Sequence, residues 1–160
     1  MELKFGEKRV GLNDPVYFIA DIAANHDGDL ARAKELIHLA KEAGADAAKF
    51  QNFKAPKIVS DYGFRHMGGQ QSHQASWKKS VFEVYQDVSV PDEWSEELKE
   101  TCDREGILYC SAAYDFDAID YLDRYIPIYK IGSGDIDWLE ALERVAAKMK
   151  PVLLATGAST

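Results

Sequence analysis

Apolar residues fall along this chain in two alternating rhythms. Runs in which nearly every position is apolar, VYFIADIAA (16–24), AAKFQNF (47–53), ILYCSAA (107–113), IYKIG (128–132) and VLLATG (152–157), predict strands. Between them the apolar residues recur every three or four positions, which predicts helices. Leu30, Ala33, Ile37 and Ala40 share one face of DLARAKELIHLAKEAG, and Trp94, Leu98 and Cys102 one face of PDEWSEELKETCDREG. Ile119 and Leu122 do so in DAIDYLDRY, and Leu139, Leu142, Val145 and Met149 in DWLEALERVAAKMK. Asp29 and Asp137 are placed as N-caps, Pro91 as a first-turn proline ahead of Asp92 and Glu93, and Gly44 and Gly106 as stops. Four strand–helix units closing on a fifth strand, with strands apolar on both faces, predict a parallel α/β protein.

Length then narrows the architecture. A TIM-type β/α barrel of eight units takes about 250 residues, whereas these 160 hold four units and a fifth strand. That is short of a complete barrel, and an open doubly wound sheet also fits the pattern. Strand order, which separates the two, is not legible in sequence. A partial barrel would leave its first and fifth strands as open edges.

One stretch breaks the rhythm. The 37 residues between Phe53 and Pro91 far exceed an ordinary βα connection. They carry Arg65, His66, Gly68, Gly69, Gln70, Gln71, His73, Lys78 and Lys79, with Trp77, Phe82 and Tyr85 to hold the segment down. A loop of this length after a strand is expected to be a lid or substrate-binding loop, or else a surface excursion.

Charge removes several functions. A net charge of −8, from 27 acidic and 19 basic residues, disfavours nucleic acid and anionic membrane surfaces as partners. The start, MELKFGEKRV, has no apolar leader and Asp21 interrupts the longest apolar run, so the expected location is the cytoplasm. Cys102 and Cys110 lack metal or redox spacing and are expected to be reduced packing residues.

Against this background two lysines stand out. Lys49 and Lys130 sit near the downstream ends of apolar strands, where an unpaired ammonium costs several kcal/mol. That arrangement suits an anion-binding site. Strand alternation sets Lys49, Gln51 and Phe53 on one face, and Asp21, Ala23 and Asn25 on one face of the first strand. Asp21 and Lys49 taken alone also fit a buried structural ion pair. Ser133 and Asp135 follow Lys130 in GSGD, which offers backbone N–H groups and a hydroxyl ahead of a helix.

These residues lie in segments that resemble a known family. FIADIAANHDGDLARAKELIHLAKEAGADAAKFQ, GGQQSHQASWKKSVFEVY, KIGSGDIDWLE and KPVLLATGAST, in that order, resemble the amino-terminal barrel of N-acetylneuraminate (sialic acid) synthases, including legionaminic and pseudaminic acid synthases. The resemblance covers nearly the whole chain. It implies that residues 1–160 are the amino-terminal part of a synthase barrel, without the later strands or the antifreeze-like domain. It implies condensation of phosphoenolpyruvate with an N-acetylated mannosamine-type sugar to a nine-carbon 2-keto acid and phosphate.

Lys49 and Lys130 would then grip the phosphate and carboxylate of phosphoenolpyruvate, Ser133 would assist on the phosphate, and Gln51 and Asp135 would meet the sugar. Asp21 would stand where the family has a glutamate that handles sugar and proton. A divalent metal, Mn or Mg, is implied as Lewis acid, with its histidine ligands in later strands, so none of His26, His38, His66 and His73 is taken as a ligand. A homodimer is implied for the complete protein. Asp in place of Glu at 21, Ala112 within SAAYD and Ala155 before Thr-Gly depart from the family pattern, and imply an altered sugar preference. Two other classes fit the residues: a Schiff-base aldolase on a β/α barrel, and a non-catalytic phosphate- or sugar-binding module.

Overall fold

The computed structural model describes residues 3–67 and 76–158 of the chain. It opens with an antiparallel hairpin, β1 (Leu3–Phe5) and β2 (Lys8–Val10), turned at Gly6. β3 (Ile19–Ala23) leads through α1 (Leu30–Glu42) to β4 (Ala47–Asn52). Three short helices occupy the long segment: α2 (Ala55–Ile58), α3 (Asp61–His66) and α4 (Val81–Asp87). Then come α5 (Trp94–Glu105), β5 (Leu108–Ala113), α6 (Phe116–Leu122), β6 (Tyr129–Ile131), a 3-10 turn (Ser133–Asp135), α7 (Leu139–Ala146) and β7 (Val152–Leu154).

β3 to β7 form one parallel sheet in sequence order, each strand bonded to the next. A doubly wound sheet reverses its order at a switch point and carries helices on both faces. Here α1, α5, α6 and α7 pack on one face only, through Ile37, Leu98, Ile119, Leu122 and Val145 against Ala48, Phe50, Tyr109, Tyr129 and Ile131. This is the wall of a β/α barrel. Each such buried aliphatic or aromatic side chain contributes roughly 1.5–3 kcal/mol.

The opposite, inward face is graded along the strands. At its lower end Ala47, Cys110 and Ile128 pack on Phe5, so the hairpin closes the floor. Further along the same alternation come Lys49, Gln51, Ala112 and Lys130. Apolar residues thus fill the end where strands begin, and charge appears where they finish.

Several local expectations are corrected. β3 ends sooner than the apolar run because Ala23 turns to φ 52°, with a register shift after Asp21. Asn25 therefore lies in a turn, its amide bonded to the Ile22 carbonyl at 2.9 Å, and not on the strand face. Asp29 caps α1 as expected, accepting from the N–H groups of Ala31 and Arg32. Asp137 does not cap α7: the 3-10 turn intervenes, and Trp138 is the residue before the helix. Pro91 precedes α5 by a turn, accepting from the N–H of Trp94, and is not in its first turn. Cys102 and Cys110 are free and buried, and burial pushes both thiols up to about 12. No helix among the described residues is long and apolar enough to cross a membrane.

Candidate active site

β4 and β6 carry the two strand lysines, Lys49 and Lys130. Lys49 lies beside Cys110 on one neighbour and Asp21 on the other, and its ammonium pairs with Asp21 at 2.8 Å. The Lys49 side chain is 8% exposed and that of Asp21 63%. The pair forms, but it is not a buried ion pair: one oxygen-bearing end stands in solvent. Lys130 is level with Ala112 and, one strand further, Gln51. Its ammonium donates to the Ile131 carbonyl, and among the described residues no carboxylate lies within ion-pair distance. Burial, and next the like charge of Lys49, lower its pKa. Two ammonium groups thus stand near each other, one paired with Asp21 and the other acted on by Asp21 and Asp135 only from beyond ion-pair distance.

The turn after β6 shapes the next part. The Asp135 carboxylate folds back over Gly132, where an added Cβ would meet its Oδ2 at 2.7 Å. Burial raises the pKa of Asp135, opposed by Lys130. Ser133 lies against the loop after β7, with its Cβ 3.6 Å from the Cβ position of Gly157. Ser133 and Asp135 thus face different neighbours although they belong to one short turn.

Beside these residues opens a cleft of about 480 Å³. Gln51 and Asp135 line it together with Phe53, Phe64, Tyr85, Tyr114 and Trp138. The long segment supplies part of this wall and is fastened down. Lys57 reaches Asp115, the N-cap of α6, at 3.0 Å, and Lys54 reaches Asp92 at 2.6 Å. The loop after β3 also touches it, because a Cβ on Gly28 would come within 2.5 Å of the Asp87 carbonyl oxygen.

Of the residues singled out in that segment, Arg65 pairs with Asp61, Lys79 pairs with Asp87 and His66 stacks on Tyr62. These are local surface contacts. Gly68, Gly69, Gln70, Gln71 and His73 lie outside the described residues. Tyr114, Phe53 and Trp138 were given no site role by sequence reasoning. The signal available was position: each is an aromatic residue within a few residues of a strand end or turn.

No group of three or more His, Cys, Asp or Glu side chains suited to a metal ion occurs among the described residues. His26 is fully buried between Phe50 and Trp94, and its Nδ1 accepts from the Gly28 N–H at 3.1 Å. Burial lowers its pKa, so it stays neutral. His38 faces Glu105 on the surface. The described residues therefore do not fit the expected divalent ion.

Comparison with known proteins matches this arrangement to relatives. An uncharacterized protein of Methanocaldococcus jannaschii, MJ1065, is 34% identical over 159 residues, covering 99% of this chain and 42% of its own. Human N-acetylneuraminate-9-phosphate synthase is 32% identical over 155 residues, covering 92% of this chain and 41% of its own. The structure of the N-acetylneuraminic acid (sialic acid) synthetase of Leptospira borgpetersenii, solved with citrate, superposes with a TM-score of 0.81 at 27% identity. That match covers all of this chain and 51% of the other. The chain spans about half the length, or less, of these relatives. The NeuB family model matches residues 36–160, which include Lys49, Gln51, Lys130, Ser133 and Asp135, and the chain belongs to the NeuB family.

Proposed function

We propose that this chain supplies the anion-gripping part of a sialic-acid-type synthase, which condenses phosphoenolpyruvate with an N-acetylated mannosamine-type sugar. The observation that carries the reading is the pair of strand-borne ammonium groups beside an aromatic-walled cleft. Phosphate and carboxylate are the groups such ammonium ions hold best, since charge-assisted hydrogen bonds are about twice as strong as neutral ones. Apolar ring faces with a few polar groups suit a sugar and its acetyl methyl.

In this reading Lys49 and Lys130 bind the phosphate and carboxylate of phosphoenolpyruvate, and Ser133 adds a hydroxyl to the phosphate. Gln51 and Asp135 orient the open-chain sugar so that its aldehyde carbon faces C3 of phosphoenolpyruvate. A C3–C1 bond forms, water adds at C2, and the C2–O bond to phosphate breaks, leaving a 2-keto acid and inorganic phosphate. Asp21, held by Lys49 yet open to solvent, is placed to receive or return a proton. The expected divalent ion is assigned to none of the described residues, and no step is derived through it.

The test is turnover by the protein expressed from its gene, with phosphoenolpyruvate, N-acetylmannosamine and Mn²⁺ or Mg²⁺. The expected result is sugar-dependent phosphate release with a product mass equal to the sum of both substrates and water less phosphoric acid. A borohydride-trapped pyruvate adduct on Lys49 or Lys130 would favour the aldolase instead. Binding of phosphoenolpyruvate without any turnover would favour the binding module.

A further inference from the structure

Tyr114 stands where three elements meet. Its N–H donates to the Asn52 carbonyl at 3.2 Å, which ties it to the end of β4. Its ring meets Phe53 edge-on at 6.1 Å and passes 3.7 Å from the Cβ position of Gly132. The ring thus lies between the ends of β4 and β6. Gln51 donates to that hydroxyl from Nε2 at 3.1 Å.

Hydrogen-bond accounting then exposes an imbalance. The Tyr114 hydroxyl accepts from Gln51, and among the described residues nothing accepts its own hydrogen. The Gln51 amide carbonyl likewise has no donor among them. The pair therefore presents two donors, the Tyr114 O–H and the second Gln51 N–H, beside one acceptor, the Gln51 carbonyl, at a wall of the cleft that both residues line. Turning the amide over leaves its two N–H groups as donors beside the phenolic oxygen as acceptor, so both kinds remain.

That combination selects among ligand groups. A phosphate or carboxylate oxygen only accepts, so it would leave the acceptor of the pair unmatched. A trans secondary amide directs its N–H and C=O to opposite sides and meets only one member. A hydroxyl group donates and accepts at a single oxygen and satisfies both. We propose that Tyr114, jointly with Gln51, is a specificity-determining residue that reads one hydroxyl of the acceptor sugar. This rests on the synthase reading above. Burial, followed by the nearby carboxylates of Asp135 and Asp21, pushes the Tyr114 hydroxyl up to about 12, so it remains a donor throughout the neutral range.

The experiment compares wild type, Tyr114→Phe and Gln51→Leu on N-acetylmannosamine and its monodeoxy analogues at saturating phosphoenolpyruvate. Wild type is expected to discriminate against one deoxy analogue by about tenfold in KM, the loss of one ordinary hydrogen bond. Tyr114→Phe is expected to raise the KM of N-acetylmannosamine about tenfold and to match wild type on that analogue. Its phosphoenolpyruvate dissociation constant should stay within about twofold of wild type. Gln51→Leu should lose the same discrimination, so the result does not depend on one variant folding. Equal penalties for every analogue in all three proteins would overturn this inference alone. Absence of both turnover and saturation-transfer contact between wild type and N-acetylmannosamine would overturn it together with the synthase reading.

Discussion

Lys49 and Asp21 share an ion pair at 2.8 Å in which the ammonium is buried and the carboxylate is open to solvent. The asymmetry makes Asp21 the replaceable partner. Water can solvate Asp21 once the pair is broken, whereas Lys49 would be left buried and uncompensated. An incoming substrate anion can therefore take over the role of Asp21.

Asp21→Asn should lower the melting temperature of the free protein and enlarge the rise caused by phosphoenolpyruvate. The cost is set at ~1 kcal/mol, below the 3–5 kcal/mol of a fully buried pair, because Asp21 is largely exposed. Thermal melts with and without ligand measure it. An unchanged melting temperature, or a smaller ligand-induced rise than in wild type, would mean that Asp21 does not neutralise Lys49.

Removing either ammonium should weaken the anion. Lys49→Met and Lys130→Met keep the length and apolar body of the side chain, and each should raise the phosphoenolpyruvate dissociation constant more than tenfold. Charge-assisted contacts of this kind are worth about 1.5–3 kcal/mol. Calorimetric titration reads the constant directly, and wild-type affinity in both variants would refute the anion site.

Lys130 gives the site an alkaline limit. Its pKa is lowered by burial and by Lys49, so it releases its proton before an ordinary lysine with pKa ~10.4. Phosphoenolpyruvate affinity should fall as pH rises through that lowered value. Stability runs the other way. The folded state binds this proton less tightly than the unfolded one, so Lys130 costs stability at neutral pH, and the cost fades as pH rises through its folded pKa. Titrating wild type against Lys130→Met in both observables isolates the residue. An affinity that stays flat until the ordinary lysine range would contradict the assignment.

Much of this fold was legible because its periodicities are strong. The five sheet strands and the four helices on the outer face follow from apolar spacing, and the lysines from charge inside strands. The hairpin was not, because LKF and KRV are three-residue strands with no sustained alternation. Asn25 was misplaced because an alanine, Ala23, takes a left-handed φ, which no residue type announces. Gln51 and Tyr114 are 63 positions apart, so only the parallel register of β4 and β5 brings them together. The aromatic wall was not legible because Phe53, Tyr85, Tyr114 and Trp138 are far apart in sequence and only the fold brings them to one cleft.

Two glycines near the site should respond in opposite ways. Gly28 holds φ 75° and faces the Asp87 backbone carbonyl at 2.5 Å from a would-be Cβ. Gly28→Ala combines left-handed strain of ~1–2 kcal/mol with a clash against backbone, and should lower the melting temperature by at least ~4 °C. Gly132 has an ordinary φ of −67°, and its Cβ would clash only with the Asp135 side-chain oxygen, the Tyr114 ring at 3.7 Å being an ordinary contact. Gly132→Ala should melt within ~2 °C of wild type while raising the sugar KM, because Asp135 must swing away. Comparable melting losses in both variants would contradict the distinction.

The sequential strand order also bears on how the chain is made. Every strand of the sheet after β3 finds its partner in the strand just completed, although β5 meets β4 only after the long segment, Leu108 beside Ala47. The other three pairings each close over one α-helix and its loops, so their loop-closure entropy is smaller than that of β4 with β5. On a ribosome adding about 5–20 residues per second, each βα unit can dock within seconds of its emergence. The growing edge then serves as the template for the strand that follows, and the barrel wall can be laid down in the order in which it is synthesised.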